Sequence, residues 1–178
     1  YADRMGKDWS TGALIRNYSI ILPTVVLRRE AIDSLSIAFN PQFSNIADFD
    51  LVVRASMVGR VDYIPETLAV WRVHRRSLTW QSRDQFVGEK VAWIEHHLGR
   101  GCFRHVETQM QKYYRDVEVS RSLLFLEKNQ AAKARKINLR RWRVDRRFII
   151  LIILSFVPGV HLLLTCRKKW KRARWFGA

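Results

Sequence analysis

The chain has 178 residues, 48% of them hydrophobic, enough to build one ordinary domain around a buried core, which excludes a disordered tail. Its formal net charge of +16 is not spread evenly: residues 133–178 hold fourteen Lys and Arg against Asp145 alone, thirteen of the sixteen net charges, around the longest apolar run. That placement implies an anionic membrane surface as partner and no nucleic acid, because a groove binder does not crowd its cations round exposed hydrocarbon.

The first strong apolar stretch, residues 20–27 (Ile-Ile-Leu-Pro-Thr-Val-Val-Leu), is β-branched and predicts a buried strand with Pro23 near its start or at an edge. A short helix is expected over Arg29–Leu35, and Phe39-Asn40-Pro41 reads as a turn because the residue before proline is pushed out of the α region. From Ala47 the period becomes helical, with Leu51, Val52, Ala55 and Val58 on one side, Asp48 and Asp50 in the first turn, and Gly59 as the stop. Strands are expected at Val61–Ile64, ended by Pro65, and at Leu68–His74, whose alternation leaves Arg72 and His74 on a polar face.

Ser82-Arg83-Asp84-Gln85 fits a capping box that opens a helix with apolar positions Phe86, Val87, Val91, Ile94 and Leu98, ended by Gly99. A second helix from about Arg104 carries Val106, Met110, Tyr113 and Val117 on one face and continues, with a break near Leu123, to a turn at Asn129. A further helix follows over Ala131–Ile137. Cys102 and Cys166 have neither disulfide nor zinc spacing, so a reduced, cytosol-facing chain is expected. No signal peptide opens the sequence, and a start at Tyr1 reads as the middle of something longer.

Residues 148–166 are nineteen positions without a formal charge, bracketed by Arg146/Arg147 and Arg167/Lys168/Lys169. As straight helix they would reach roughly 28 Å, just enough to cross a hydrocarbon core of about 30 Å. Pro158-Gly159 and His161 argue against an uninterrupted span, and basic residues on both flanks give no inside/outside asymmetry. A membrane-embedded or interfacial helix broken at Pro158 is expected ahead of a single span, and both ahead of a buried core helix, because the flanking basic clusters with Trp142, Trp170 and Trp175 read as headgroup anchors.

The chemistry is carried by an ordered series: Phe39-Asn40-Pro41, then Ala47-Asp48-Phe49-Asp50-Leu51-Val52-Val53-Arg54, then Gly59-Arg60-Val61-Asp62-Tyr63-Ile64-Pro65-Glu66, then Leu68-Ala69-Val70-Trp71-Arg72-Val73-His74 with Ser77-Leu78-Thr79 after it. In this order and at these intervals it resembles the second half of the GT-A domain of family 2 glycosyltransferases, over about residues 12–80. The resemblance implies an α/β fold: residues 1–80 as the acceptor-side half of a GT-A domain, 81–137 as a helical extension of hairpins, and 138–178 as a basic, apolar, membrane-associating segment. It implies inverting transfer of a hexose-type sugar from a nucleotide-sugar donor to a hydroxyl on a glycan or lipid-linked acceptor, at the cytoplasmic face of the membrane, in cell-envelope polysaccharide synthesis.

Within that resemblance Asp48 falls on the general base. A sugar hydroxyl is a poor nucleophile at neutral pH, and a carboxylate within hydrogen-bond reach takes its proton as it attacks the anomeric carbon. Ala47 departs from the pattern, which has Glu there. Asp50, about 200° away round the helix, cannot face the same acceptor, and the helix dipole alone would account for it, so its removal is expected to cost little. Arg72 and His74 are implied to lie near the nucleotide diphosphate, with His74 a metal ligand. A divalent cation, Mn²⁺ or Mg²⁺, is expected only with the family's Asp-x-Asp half, which precedes this region in that fold; Asp3 and Asp8 are isolated. The chain is therefore expected to be a fragment, inactive alone. The competing reading is a non-catalytic membrane-associated scaffold or adaptor.

Overall fold

The computed structural model describes residues 9–70 and 82–166, and every regular element within them is helical. The expected α/β architecture is overturned: the described residues contain no strand and no sheet. The physical reason lies in hydrogen bonding. A strand directs its N–H and C=O groups sideways and needs a neighbour to receive them, whereas a helix satisfies them internally. Residues 20–27 find no such neighbour and form only a 3₁₀ turn, Leu22–Thr24, with Pro23 in its first turn. Val26 is 93% exposed there, and in the two later expected strands Ile64 is 66% and Val70 92% exposed. Trp71–His74, the rest of the last expected strand, lies outside the described residues.

The chain divides into two compact units, one ending at Tyr114 and the other beginning at Arg115. In the first, α1 (Thr11–Asn17) is capped by the Ser10 hydroxyl, which accepts from the Ala13 amide at 3.3 Å. Helix α2 (Arg29–Asp33) is short, and α3 (Ala47–Val58) starts where the sequence places it and stops at Gly59. That glycine is extended, φ −150°, a conformation open to any residue. Helix α4 (Arg83–His97) begins after Ser82, but the capping box is not formed: Gln85 donates instead to Ser44 and Glu89. Gly99, at φ +79°, supplies the left-handed stop that a side chain would resist.

A 3₁₀ segment, Gly101–Val106, leads into α5 (Glu107–Glu127), which runs without the expected break. The core of this unit is aromatic. Phe49 of α3 meets Trp93 of α4 edge-on at 4.8 Å, Tyr18 at 5.2 Å and Tyr113 of α5 at 5.6 Å, and Trp93 meets Phe103 at 5.6 Å. Truncating such a centre typically costs about 3–5 kcal/mol.

In the second unit the C-terminal part of α5 turns through Asn129, at φ +57°, into α6 (Ala131–Arg141), and α7 (Arg146–Leu154) follows. Leu126, Ala134, Phe148, Leu151 and Val160 form its core. Asp145 caps α7, accepting from the Arg147 amide at 2.9 Å, and the Arg147 guanidinium also pairs with Asp116 at 2.6 Å. The expected interruption is present: after α7 the chain turns through Pro158 and Gly159, at φ +71°, before residues 160–166 resume as helix. The nine residues of α7 extend about 13 Å against a hydrocarbon core of about 30 Å. Among the described residues no helix is long and apolar enough to cross a membrane.

Candidate functional site

The N-terminus of α3 is assembled from three directions. Its own residues give no side-chain cap at Ile46, and Glu89, reaching over from α4, takes that role. One Glu89 oxygen accepts from the Asn45 amide at 2.8 Å and the Ile46 amide at 3.2 Å. The other accepts from the Asn45 side chain at 2.9 Å and the Ser44 hydroxyl at 3.1 Å. Burial alone would raise this carboxyl, but the bonds from Asn45 and Ser44 outweigh it and hold Glu89 below the usual glutamate range. A carboxylate on the positive end of a helix is the favourable arrangement. Sequence reasoning missed Glu89, because its partners lie 43 to 45 residues away.

Asp48 and Asp50 share the first turn of α3 and have opposite surroundings. Asp50 is fully buried. Its Oδ2 accepts from Arg54 Nη2 at 2.6 Å and Nε at 3.0 Å, and its Oδ1 from the Trp93 indole at 2.9 Å. The same guanidinium donates to the Ile37 and Ala38 carbonyls at 2.7 and 2.8 Å, so Asp50 ties the preceding loop and α4 to α3. It is a structural anchor, which corrects the expectation that a dipole effect alone accounts for it.

Asp48 is half-buried, and one of its oxygens accepts from the following amide, Phe49, at 2.7 Å. Burial raises its pKa above the ordinary aspartate value, against the lowering effects of nearby backbone N–H groups, Lys90 and Tyr18. Desolvation thus outweighs the bonds and charges that favour the ionised form. Lys90 sits with its ammonium 4.3 Å from the centre of the Phe86 ring and 5.6 Å from that of Tyr113. Burial depresses it to about 8, with the Asp48 charge resisting. Tyr18 is raised by burial and by the Asp48 charge beside it, although its hydroxyl closes no hydrogen bond of good geometry. Asp48, Lys90 and Tyr18 therefore form one cluster of mutually perturbed groups, of the kind that moves protons.

His97, at the end of α4, packs between Trp93 at 4.7 Å and Phe103 at 4.6 Å, with Nε2 3.9 Å from Asp50. Burial, helped by the neighbouring His96, Arg54 and Arg100, depresses it to about 4. Arg72 and His74, the expected diphosphate and metal residues, lie outside the described residues. Among the described residues no group of three His, Cys, Asp or Glu side chains is placed to hold a metal ion. Cys102 and Cys166 are free and exposed. Comparison with models of protein families, with curated proteins and with solved structures finds no match for this chain.

Proposed function

We propose that this chain carries the acceptor-side part of an inverting nucleotide-sugar glycosyltransferase, with Asp48 as general base. The reading rests on the ordered motif series of residues 39–79 and not on a sheet. One observation carries it: of the two acids in the first turn of α3, Asp48 is the more accessible one, in no ion pair among the described residues, with a raised pKa. A base whose pKa lies closer to the working pH is a better proton acceptor. In the proposed step the Asp48 carboxylate takes the proton of an acceptor hydroxyl as its oxygen bonds to the anomeric carbon and the nucleotide diphosphate leaves from the opposite face. Lys90 beside it keeps enough of the carboxylate ionised to act. The test is transfer by a chain completed with a donor-binding half. Asp48→Asn should lower turnover by about 10²- to 10⁴-fold with donor binding unchanged, and undiminished turnover would overturn the assignment.

The same chain is proposed to work at an anionic membrane surface, and a separate observation favours this. In the second unit Ile149, Ile150, Ile153, Phe156 and Val157 are exposed at helical spacing, with Leu162 and Leu163 beyond the turn and Trp142 before it. Arg140, Arg143 and Arg146 are exposed in the same stretch. An apolar stripe bordered by arginines fits the headgroup boundary, where hydrocarbon contacts and lipid charge add. The donor sugar and acceptor would then be presented at the cytoplasmic face.

A further inference from the structure

Away from Asp48, at the other end of α3, the first unit holds an open cleft of about 600 Å³. Gly59, the residue after α3, lines it, eleven residues beyond Asp48, which is about 16 Å along a helix rising about 1.5 Å per residue. Its wall is Trp9, whose ring stacks on Tyr63 with centroids 5.3 Å apart and planes at 26°. Arg60, Asp62, His105 and Gln109 supply the polar lining. Arg60, His105 and Gln109 make no hydrogen bond or ion pair among the described residues, and Asp62 uses one oxygen for the Tyr63 amide at 2.8 Å. Gly12 is what lets Gln109 lie in the cleft: a Cβ at residue 12 would stand 3.2 Å from its Cγ.

We infer that this cleft binds a neutral oligosaccharide. The chemistry of the lining selects that class. A purely apolar ligand would strand four polar side chains, each of which loses water on binding and needs a partner. A phosphate would meet Asp62 as well as Arg60, and the two charges offset one another. A flat base needs a narrow slot, and this cleft is open, with one aromatic wall. A pyranose presents both features found here: a C–H face that packs on an indole, and adjacent hydroxyls that planar guanidinium, carboxylate and carboxamide groups bond in pairs. The cleft is large enough for more than one ring. Resting on the reading of Asp48 as base, the bound segment is the growing acceptor, held at a distance from the reacting hydroxyl, so that remote binding energy serves to position it.

The test uses the whole chain, ¹⁵N-labelled, titrated with cellotetraose, maltotetraose and chitotetraose while the Trp9 indole and Arg60 Nε signals are followed. At least one tetrasaccharide should shift both signals saturably in the millimolar range. Trp9→Ala should weaken that binding about tenfold, and Arg60→Ala, at an exposed and unpartnered position, keeps the test readable if Trp9→Ala disturbs the fold. Shifts of these signals by uridine or inorganic pyrophosphate but by no tetrasaccharide, saturable saccharide shifts confined elsewhere, or no shifts at all would each overturn the inference. Loss of the cleft by this test leaves the Asp48 assignment standing, and transfer that ignores Asp48→Asn leaves the cleft standing, so the two fail separately.

Discussion

Two aspartates separated by one residue in α3 meet different physics. Asp50 is enclosed with Arg54 and the Trp93 indole, and Asn in its place would leave the guanidinium without a countercharge in a largely buried position. Breaking a buried pair of this kind typically costs about 3–5 kcal/mol, so Asp50→Asn should lower the urea midpoint sharply and loosen the loop at Ile37 and Ala38. Asp48→Asn should do the reverse. Its folded pKa is raised, so the folded chain takes the proton more readily than the unfolded one, and the ionised group costs stability at pH 7. Thermal unfolding at pH 7 should show Asp48→Asn at or above wild type, and ¹³C titration of the Asp48 carboxyl should give a midpoint above 3.8; a midpoint at or below it removes the support for a tuned base. His97 makes the pH dependence on the acid side. Unfolded, it binds a proton near 6.5, and folded only near 4, so stability present above about 6.5 is lost as pH falls toward 4. His97→Phe should flatten that slope in denaturation curves taken across the window. None of these distinctions was legible in the sequence, where the helix face separated Asp48 from Asp50 but the indole and guanidinium partners that decide their roles did not show.

At the scale of elements, helices were legible and strands were not. Leu51, Val52 and Ala55 are buried on the face their spacing predicts, and so are Val106, Met110, Tyr113 and Val117, whereas Val58, expected on the first of these faces, is 52% exposed. A helix closes its own hydrogen bonds, so local pattern and punctuation such as Gly99 suffice to place it. The β-branched runs at 20–27 and 61–70 carry an equally clear local preference, but a preference for strand is realised only against a partner, and the described residues supply none. Contacts distant in sequence escaped for a related reason. Ser82 and Gln85 looked like a local cap of α4, whereas Gln85 helps Glu89 cap α3 instead. Glu89→Ala should cost about 1.5–3 kcal/mol, the range for hydrogen bonds to a charged group, with faster amide exchange at Asn45 and Ile46; unchanged exchange there would show the cap to be dispensable. In the other unit, Ile149→Glu with Ile153→Glu changes only exposed positions of α7, so the fold should persist. Flotation with phosphatidylserine vesicles, retained by the native chain in about 1 M salt, should be lost; binding that survives the double substitution would locate the anchor elsewhere.

Taken as a whole, the molecule separates its charge from its candidate chemistry, since the surplus cations crowd into residues 133–178 while the Asp48 cluster lies before Tyr114. If this chain carries only the acceptor-side part, as proposed, it should give no saturable heat with uridine or guanosine diphosphate sugars and Mn²⁺ in calorimetry; micromolar binding would mean that the donor site is here after all. The uncovered stretches at Val26, Ile64, Leu68 and Val70 have a consequence for solution behaviour. Apolar, three of the four β-branched, and in no sheet among the described residues, they are surfaces on which a second copy can add, and mutual repulsion between molecules of charge +16 is the force that opposes it. Added salt shortens the reach of that repulsion from about 10 Å at 0.1 M to about 3 Å at 1 M. Light scattering should therefore show association growing with ionic strength, the opposite of an assembly held by charge, and the colloidal stability of this protein should be greatest in dilute buffer.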